Sequence, residues 1–261
     1  MRVCILGSSH LAALKRAWDV GDASNFEVIQ PTFLGSHTDS LKKVHCVAGR
    51  FHTDDPQVRR SLAMTSGLPD PELSIGDFDA FFVHALFNPN WITPYTLRAI
   101  RHAKSHGMLS SGLVRAVSQE ILSRSGMIHM VRVIRTASDV PIVVSPQPYL
   151  SQAVLTSPDK GPAYASLEQL EDYTGPNFTD AFGDVLRAQG LKSGFSVLPQ
   201  PLETIVMPCF SAHEFCVGSV RLTSNLDIEH PDDDFSHMNS AYGALVLRQL
   251  AAHFADAVTA A

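Results

Sequence analysis

The sequence predicts an α/β fold built on a mostly parallel sheet, and two observations lead there. Short apolar runs alternate with longer segments of helical period, the pattern expected of βαβ units. The 261 residues are 45% apolar and 18% charged, a globular composition with enough chain to cover both faces of a sheet. One domain over residues 1–261 accounts for this length.

The elements follow in order. Val3–Leu6 reads as the first strand. Leu11–Val20 follows as a helix, because Leu11, Leu14, Ala17 and Trp18 recur at helical spacing. Phe26–Ile29 is the expected second strand. Phe78–His84 is the third, and its continuous apolar run suits a strand covered on both faces. Pro94–His106 reads as a helix, with Thr93 placed to cap it and Pro94 at its first position. Leu113–Ala137 reads as one helix. Val140–Val144 is the fourth strand, stopped by Pro146 and Pro148. Phe195–Leu198 is the fifth, and Ala241–Val258 is a closing helix. Residues 150–193 are rich in Ser, Pro, Asp and Gly, and read either as a lid or substrate loop or as an irregular surface excursion with one helix near Phe178–Gln189.

Charge and cysteine usage exclude several classes. The net charge is −6 and Lys and Arg never run beyond pairs, so no nucleic-acid partner is expected. No stretch reaches the roughly 18 apolar residues of a membrane span. The chain enters its first strand at once from Met1, and Cys4, Cys46, Cys209 and Cys216 show no C-x-x-C spacing. Four reduced thiols and a cytoplasmic protein are the expectation.

Two short blocks carry chemistry. A serine hydroxyl becomes a useful nucleophile only when a base takes its proton and a third group holds that base. Gly7-Ser8-Ser9-His10 lies where the first strand hands over to its helix, at the sheet edge where sites of parallel sheets form. Gly7 permits a sharp turn, and Ser9 falls near a helix N-terminus whose N–H groups favour an anion. Helix capping by Ser8 or Ser9 is the plainer alternative. Near the other end, Asp234-Phe235-Ser236-His237-Met238-Asn239 sets a carboxylate three residues before an imidazole. With 18 Asp and 12 His in 261 residues, about one such spacing is expected by chance, so the spacing alone decides little.

The combination and order are more telling. Ile5-Leu6-Gly7-Ser8-Ser9 resembles the G-D-S block of the SGNH/GDSL hydrolases, and Asp234–Asn239 resembles their D-x-x-H-x-N block. Asp79 through Asn88 matches the spacing of the family's third block, with Asn88 on its Asn. The resemblance implies a flavodoxin-like three-layer α/β/α sandwich. It also implies a serine acyl-ester hydrolase or acyltransferase that needs no cofactor and no metal. Ser9 would be nucleophile, His237 base and Asp234 its orienting acid. The oxyanion would sit between the Ser9 N–H, the Asn88 amide and a glycine N–H, with Gly35 preferred and Gly49 second. Ser8 replaces the family's Asp, Leu86 stands where the third block has Gly, and Pro89 replaces the Asp after Asn88. Bulk at Leu86 predicts a pocket for small acyl groups, and an O-acetylated carbohydrate is the substrate class to test first. A non-catalytic binding module that keeps the fold is the alternative.

His10 and His84 are candidate substrate contacts because both lie at the predicted site edge, with surface or packing roles as the alternative. Metal binding by His10, His37, His84 and His237 has no H-E-x-x-H spacing behind it. His102 and His106 form one H-x-x-x-H pair, but Lys104 stands between them and no third ligand is evident.

Overall fold

The computed structural model describes residues 1–21, 26–37, 39–89, 111–157, 178–206, 210–224 and 228–259. Strand β1 (Arg2–Gly7) leads into α1 (Leu11–Val20), and β2 (Gln30–Gly35) follows. A hairpin of β3 (His45–Val47) and β4 (Arg50–His52) precedes α2 (Pro56–Ser66) and β5 (Ala80–His84). Then come α3 (Ser111–Ser123), α4 (Gly126–Arg135) and β6 (Ile142–Ser145). Helix α5 (Phe178–Ser193), β7 (Ser196–Val197), the short pair β8 (Ile205–Val206) and β9 (Phe210–Ser211), and α6 (Ser240–Thr259) complete the order.

Five strands pair in parallel in the order β2-β1-β5-β6-β7. With the separate β3–β4 hairpin set aside, this is the flavodoxin-like order. Successive side chains of β1 point to opposite faces, as a strand requires. Cys4 and Leu6 join a core with Val58 and Leu62 of α2, Met130 and Ile134 of α4, and Leu186 of α5. Val3 and Ile5 join the other core, with Leu14 of α1 and Val246 and Leu250 of α6. Helices therefore cover both faces, and the three-layer expectation holds. No helix among the described residues is long and apolar enough to cross a membrane.

Several boundaries move for identifiable reasons. The second strand is Gln30–Gly35 and not Phe26–Ile29. Phe26 and Ile29 are buried from the turn that precedes it, whereas the true strand lies at the sheet edge and begins with Gln30-Pro31-Thr32, only partly covered. Proline is tolerated there because an edge strand can spare an N–H. The expected third strand shortens to Ala80–His84, because Phe78 closes a 3-10 turn over Ile75–Asp77. The fourth shifts to Ile142–Ser145, and the fifth shortens to Ser196–Val197. The expected helix Leu113–Ala137 is two helices. Ser125 breaks it, with its hydroxyl accepting from the Ile128 N–H that begins α4.

The expected Pro94–His106 helix lies outside the described residues. Of segment 150–193, residues 158–177 also lie outside. Gln152–Leu155 form a 3-10 turn, and the helix near Phe178–Gln189 extends to Ser193. The hairpin and α2 carry little periodic signal. The three-residue hairpin strands bury only Phe51, and α2 buries only Val58, Leu62 and Thr65.

Candidate active site

The site forms where β1 ends. Gly7 pairs with Gly35 of β2 on one side and His84 of β5 on the other. A Cβ on Gly7 would lie 3.0 Å from the His84 carbonyl and 3.1 Å from a Leu11 methyl, so the missing side chain lets the strand end pack tightly against β5 and α1. The Ser8 and Ser9 carbonyls accept from the Leu11 and Ala12 N–H groups, which starts α1. Among the described residues no acceptor takes the Ser9 N–H. That donor stands at the positive end of α1.

The other half comes from the turn before α6. The Asp234 N–H donates to the Pro231 carbonyl, which curls the chain so that the carboxylate faces forward along it. Asp234 Oδ1 accepts from Ser236 N at 2.9 Å, Ser236 Oγ at 2.9 Å and His237 N at 3.0 Å. Asp234 Oδ2 lies 2.8 Å from His237 Nδ1, and His237 Nε2 lies 2.9 Å from Ser9 Oγ. Although burial pushes the Asp234 carboxyl up, the His237 contact and these N–H donors outweigh it and hold it well below the usual carboxylate range. An ionised carboxylate only accepts, so His237 carries its proton on Nδ1 and offers a bare Nε2 to the Ser9 hydroxyl.

Asn239 secures this turn. Its Oδ1 accepts from Tyr242 N in the first turn of α6, and its Nδ2 donates to the Glu214 and Val217 carbonyls. The two halves then meet through α1 and α6. A Cβ on Gly243 would fall 2.1 Å from the Ala13 carbonyl oxygen, so backbone touches backbone there.

Two further imidazoles frame His237. His10 stacks on it at 4.6 Å between centroids with 19° between planes, and His230 does so at 4.0 Å and 10°. Burial, with the His237 and His84 imidazoles nearby, keeps His10 well below the ordinary histidine value. His230 Nδ1 lies 3.0 Å from the same Asp234 Oδ2. His230 is absent from the expected site. Its only signal is a spacing of four before Asp234, which has no meaning until the backbone is known to turn there.

A cavity of about 380 Å³ opens on Ser9 and His237. His230, Gly35, Ser36, His37, Met64 and Arg221 contribute to its walls. Its size is ordinary for a small-ligand site.

No family model matches the sequence, and no curated protein matches it either. Solved structures do resemble the fold. A carbohydrate acetylesterase family member from Sinorhizobium meliloti is 11% identical over 97% of each chain, with a TM-score of 0.40. A putative arylesterase from Agrobacterium tumefaciens is 12% identical over 98% of each chain, at 0.39. An extracellular lipase from Streptomyces rimosus is 11% identical over 96% of this chain and 99% of its own, at 0.44. Likeness at this level says nothing of the reaction, which must be read from distances within this chain.

The structure brings together Ser9, Asp234, His237 and His10, with Gly35 on the same cavity wall. The Gly35 N–H, however, donates to Thr65 Oγ1 at 2.8 Å and is already engaged. Gly49 sits in the β3–β4 turn with φ +75°, and nothing places it on this cavity. Leu86 and Asn88 line a second cavity of about 320 Å³, with Lys42 and Gln147. Leu86 is buried in the core with α4, and its carbonyl accepts from the Met127 N–H. It therefore does not narrow the Ser9 cavity. His84 is fully buried and is not among the residues lining the Ser9 cavity, and burial pushes its imidazole down to about 3. Cys4, Cys46 and Cys216 are free thiols, and Cys209 lies outside the described residues.

His230, Asp234 and His237 form one group whose donor atoms gather within 4.8 Å, close enough for a cation. Asp234 Oδ2 already faces both Nδ1 atoms, and a metal would need at least one of those protons removed. The arrangement fits hydrogen bonding better than coordination.

Proposed function

We propose that the chain is a serine acyl-ester hydrolase or acyltransferase of the SGNH type, with Ser9 as nucleophile, His237 as base and Asp234 as its orienting acid. The observation that carries this reading is the continuous contact from Ser9 Oγ through His237 to Asp234, at 2.9 Å and 2.8 Å. In the first step the Ser9 proton passes to His237 Nε2 as Oγ attacks the acyl carbon. The new oxyanion is met by the Ser9 N–H at the α1 terminus, where a fixed donor acts on charge that develops only in the transition state. His237 then returns the proton to the departing alcohol. Water, or an acceptor hydroxyl, repeats the sequence on the acyl-enzyme.

The remaining donors stay proposals. With the Gly35 N–H held by Thr65, the neighbouring His37 N–H, for which no acceptor is found among the described residues, is the better backbone candidate on that wall. Asn88 would need its own cavity to join that of Ser9. For substrate we keep the small acyl ester of a carbohydrate. The hydroxyl-bearing walls at Ser36, Ser61 and Thr223 suit a polar acceptor, and a cavity of about 380 Å³ is at the small end for a ligand site, which favours a short acyl group.

The test is turnover on a series of acyl esters from acetyl to octanoyl, on free chromogenic alcohols and on acetylated sugars. Acetyl esters should turn over fastest, and Ser9→Ala and His237→Ala should each lose about three orders of magnitude or more. Retention of unreacted ester with no turnover would favour the binding-module alternative instead.

A further inference from the structure

We propose that His230 is a positioning residue for this site, holding the Asp234 carboxylate and covering the face of His237 opposite His10. The inference rests on the reading of Ser9 and His237 as nucleophile and base. Two rings stacked at 4.0 Å and 4.6 Å on one imidazole must occupy its two faces. His237 is thus clamped between flat neighbours, and only rotation within its own plane remains. The hydrogen bonds to Ser9 and Asp234 remove that freedom.

His230 reaches Asp234 by a separate route from the D-x-x-H turn. Its backbone N–H donates to the Ser219 carbonyl, the Arg221 N–H donates to the Ile228 carbonyl, and Val220 bridges Glu229 in antiparallel fashion. This pairing delivers the His230 ring so that Nδ1 lies 3.0 Å from Asp234 Oδ2. His230 Nε2 is buried and has no hydrogen-bond partner among the described residues. A neutral imidazole has one proton to place, and a carboxylate is a stronger acceptor than the nearby Val220 carbonyl. The proton is assigned to Nδ1, where the His230 ring makes an ion-pair contact with Asp234 Oδ2 at 3.0 Å beside the hydrogen bond from His237.

The consequence is a shared charge. When His237 takes the Ser9 proton, Asp234 stabilises the cation with a carboxylate already partly satisfied by His230. A second cation beside it would oppose the step. Burial, the His237 ring and Arg221 all favour neutral His230, against Asp234 and the Val220 carbonyl. The other titratable groups around the pair include His10 across the His237 ring, His37 on the cavity wall and the Cys216 thiol, which feels the Asp234 charge. His230 would thus steady the carboxylate without competing for the proton, and would keep the base active to lower pH than a lone Asp–His pair allows.

The experiment is the rate of Ser9 labelling by a fluorophosphonate as a function of pH. His230→Phe keeps a flat ring but removes the donor, so the whole carboxylate charge falls on His237. The acidic limb should then move up by about one pH unit. His230→Asn returns an N–H near the position of Nδ1 and should bring the limb back toward that of the unmodified protein. Superimposable profiles for all three proteins, or a limb that moves down in His230→Phe, would overturn the proposal. Absence of labelling in the unmodified protein would remove the nucleophile–base reading itself, and this inference with it. A measurement without any variant settles the same point. Nitrogen-15 NMR of the unmodified protein should show neutral His230 as the Nδ1–H tautomer, and an Nε2–H tautomer would contradict the shared carboxylate.

Discussion

Five groups on three residues contact the Asp234 carboxylate: the Ser236 N–H and hydroxyl, the His237 N–H and ring, and the His230 ring. An amide in its place could accept on one side only. Asp234→Asn should therefore lower the rate of Ser9 labelling by about 10³–10⁴, close to the loss in His237→Ala, and pre-steady-state labelling kinetics would check it. His84 is a different case. It is fully buried, and neither ring nitrogen has a partner among the described residues. Its folded value near 3 lies below the unfolded one near 6.5, so the unfolded chain takes up the proton first. Stability is unaffected above about pH 6.5 and is lost as pH falls from there towards 3, by an amount on the order of a few kcal/mol. His84→Leu should flatten that loss in denaturant titrations at pH 7 and pH 4, and an unchanged pH dependence would rule the account out. Ser9, Asp234 and His237 were legible in the sequence because each sits in a short local motif whose backbone turn sets the side chain's direction. His230 was not, since its value depends on a bridge to Val220 that no local spacing reveals.

At the level of elements, the site depends on how α1 meets α6. Ser9 lies two residues before α1 and His237 three before α6. The close approach of Gly243 to the Ala13 carbonyl sets the distance between those two starts. Gly243→Ala would place a methyl 2.1 Å from that oxygen, so one helix must shift. The expected outcome is a fall in Tm together with a loss of labelling at temperatures where the fold is still intact. Loss of Tm alone, with labelling unchanged, would mean that other contacts hold the two starts. At the α3–α4 break, Ser125→Ala removes the hydroxyl that caps α4 and should cost about 1 kcal/mol in chemical denaturation. Here the sequence misled. The apolar period runs unbroken through Leu113–Ala137, and only a capping serine before a glycine marks the interruption. The second strand was misplaced for the opposite reason, because an edge strand needs so little apolar surface that the buried turn before it carried the stronger signal.

Across the whole molecule, the parallel order β2-β1-β5-β6-β7 places the changeover of winding beside β1, and Ser9 stands just past the carboxyl end of that strand. Crevices at such changeover points are where open parallel sheets bind their ligands. The layer architecture was readable because α/β alternation survives errors of several residues in every boundary. The joining of residue 9 to residue 237 was readable only through order and resemblance, since no periodicity links sites 228 positions apart. The central claim is that this junction makes Ser9 a nucleophile. It is tested most directly by treating the protein with a fluorophosphonate at neutral pH and mapping the adduct by peptide mass spectrometry. A single adduct on Ser9, absent in Ser9→Ala and strongly slowed in His237→Ala, is the predicted result. An unmodified Ser9, or labelling that proceeds at the same rate without His237, would contradict it.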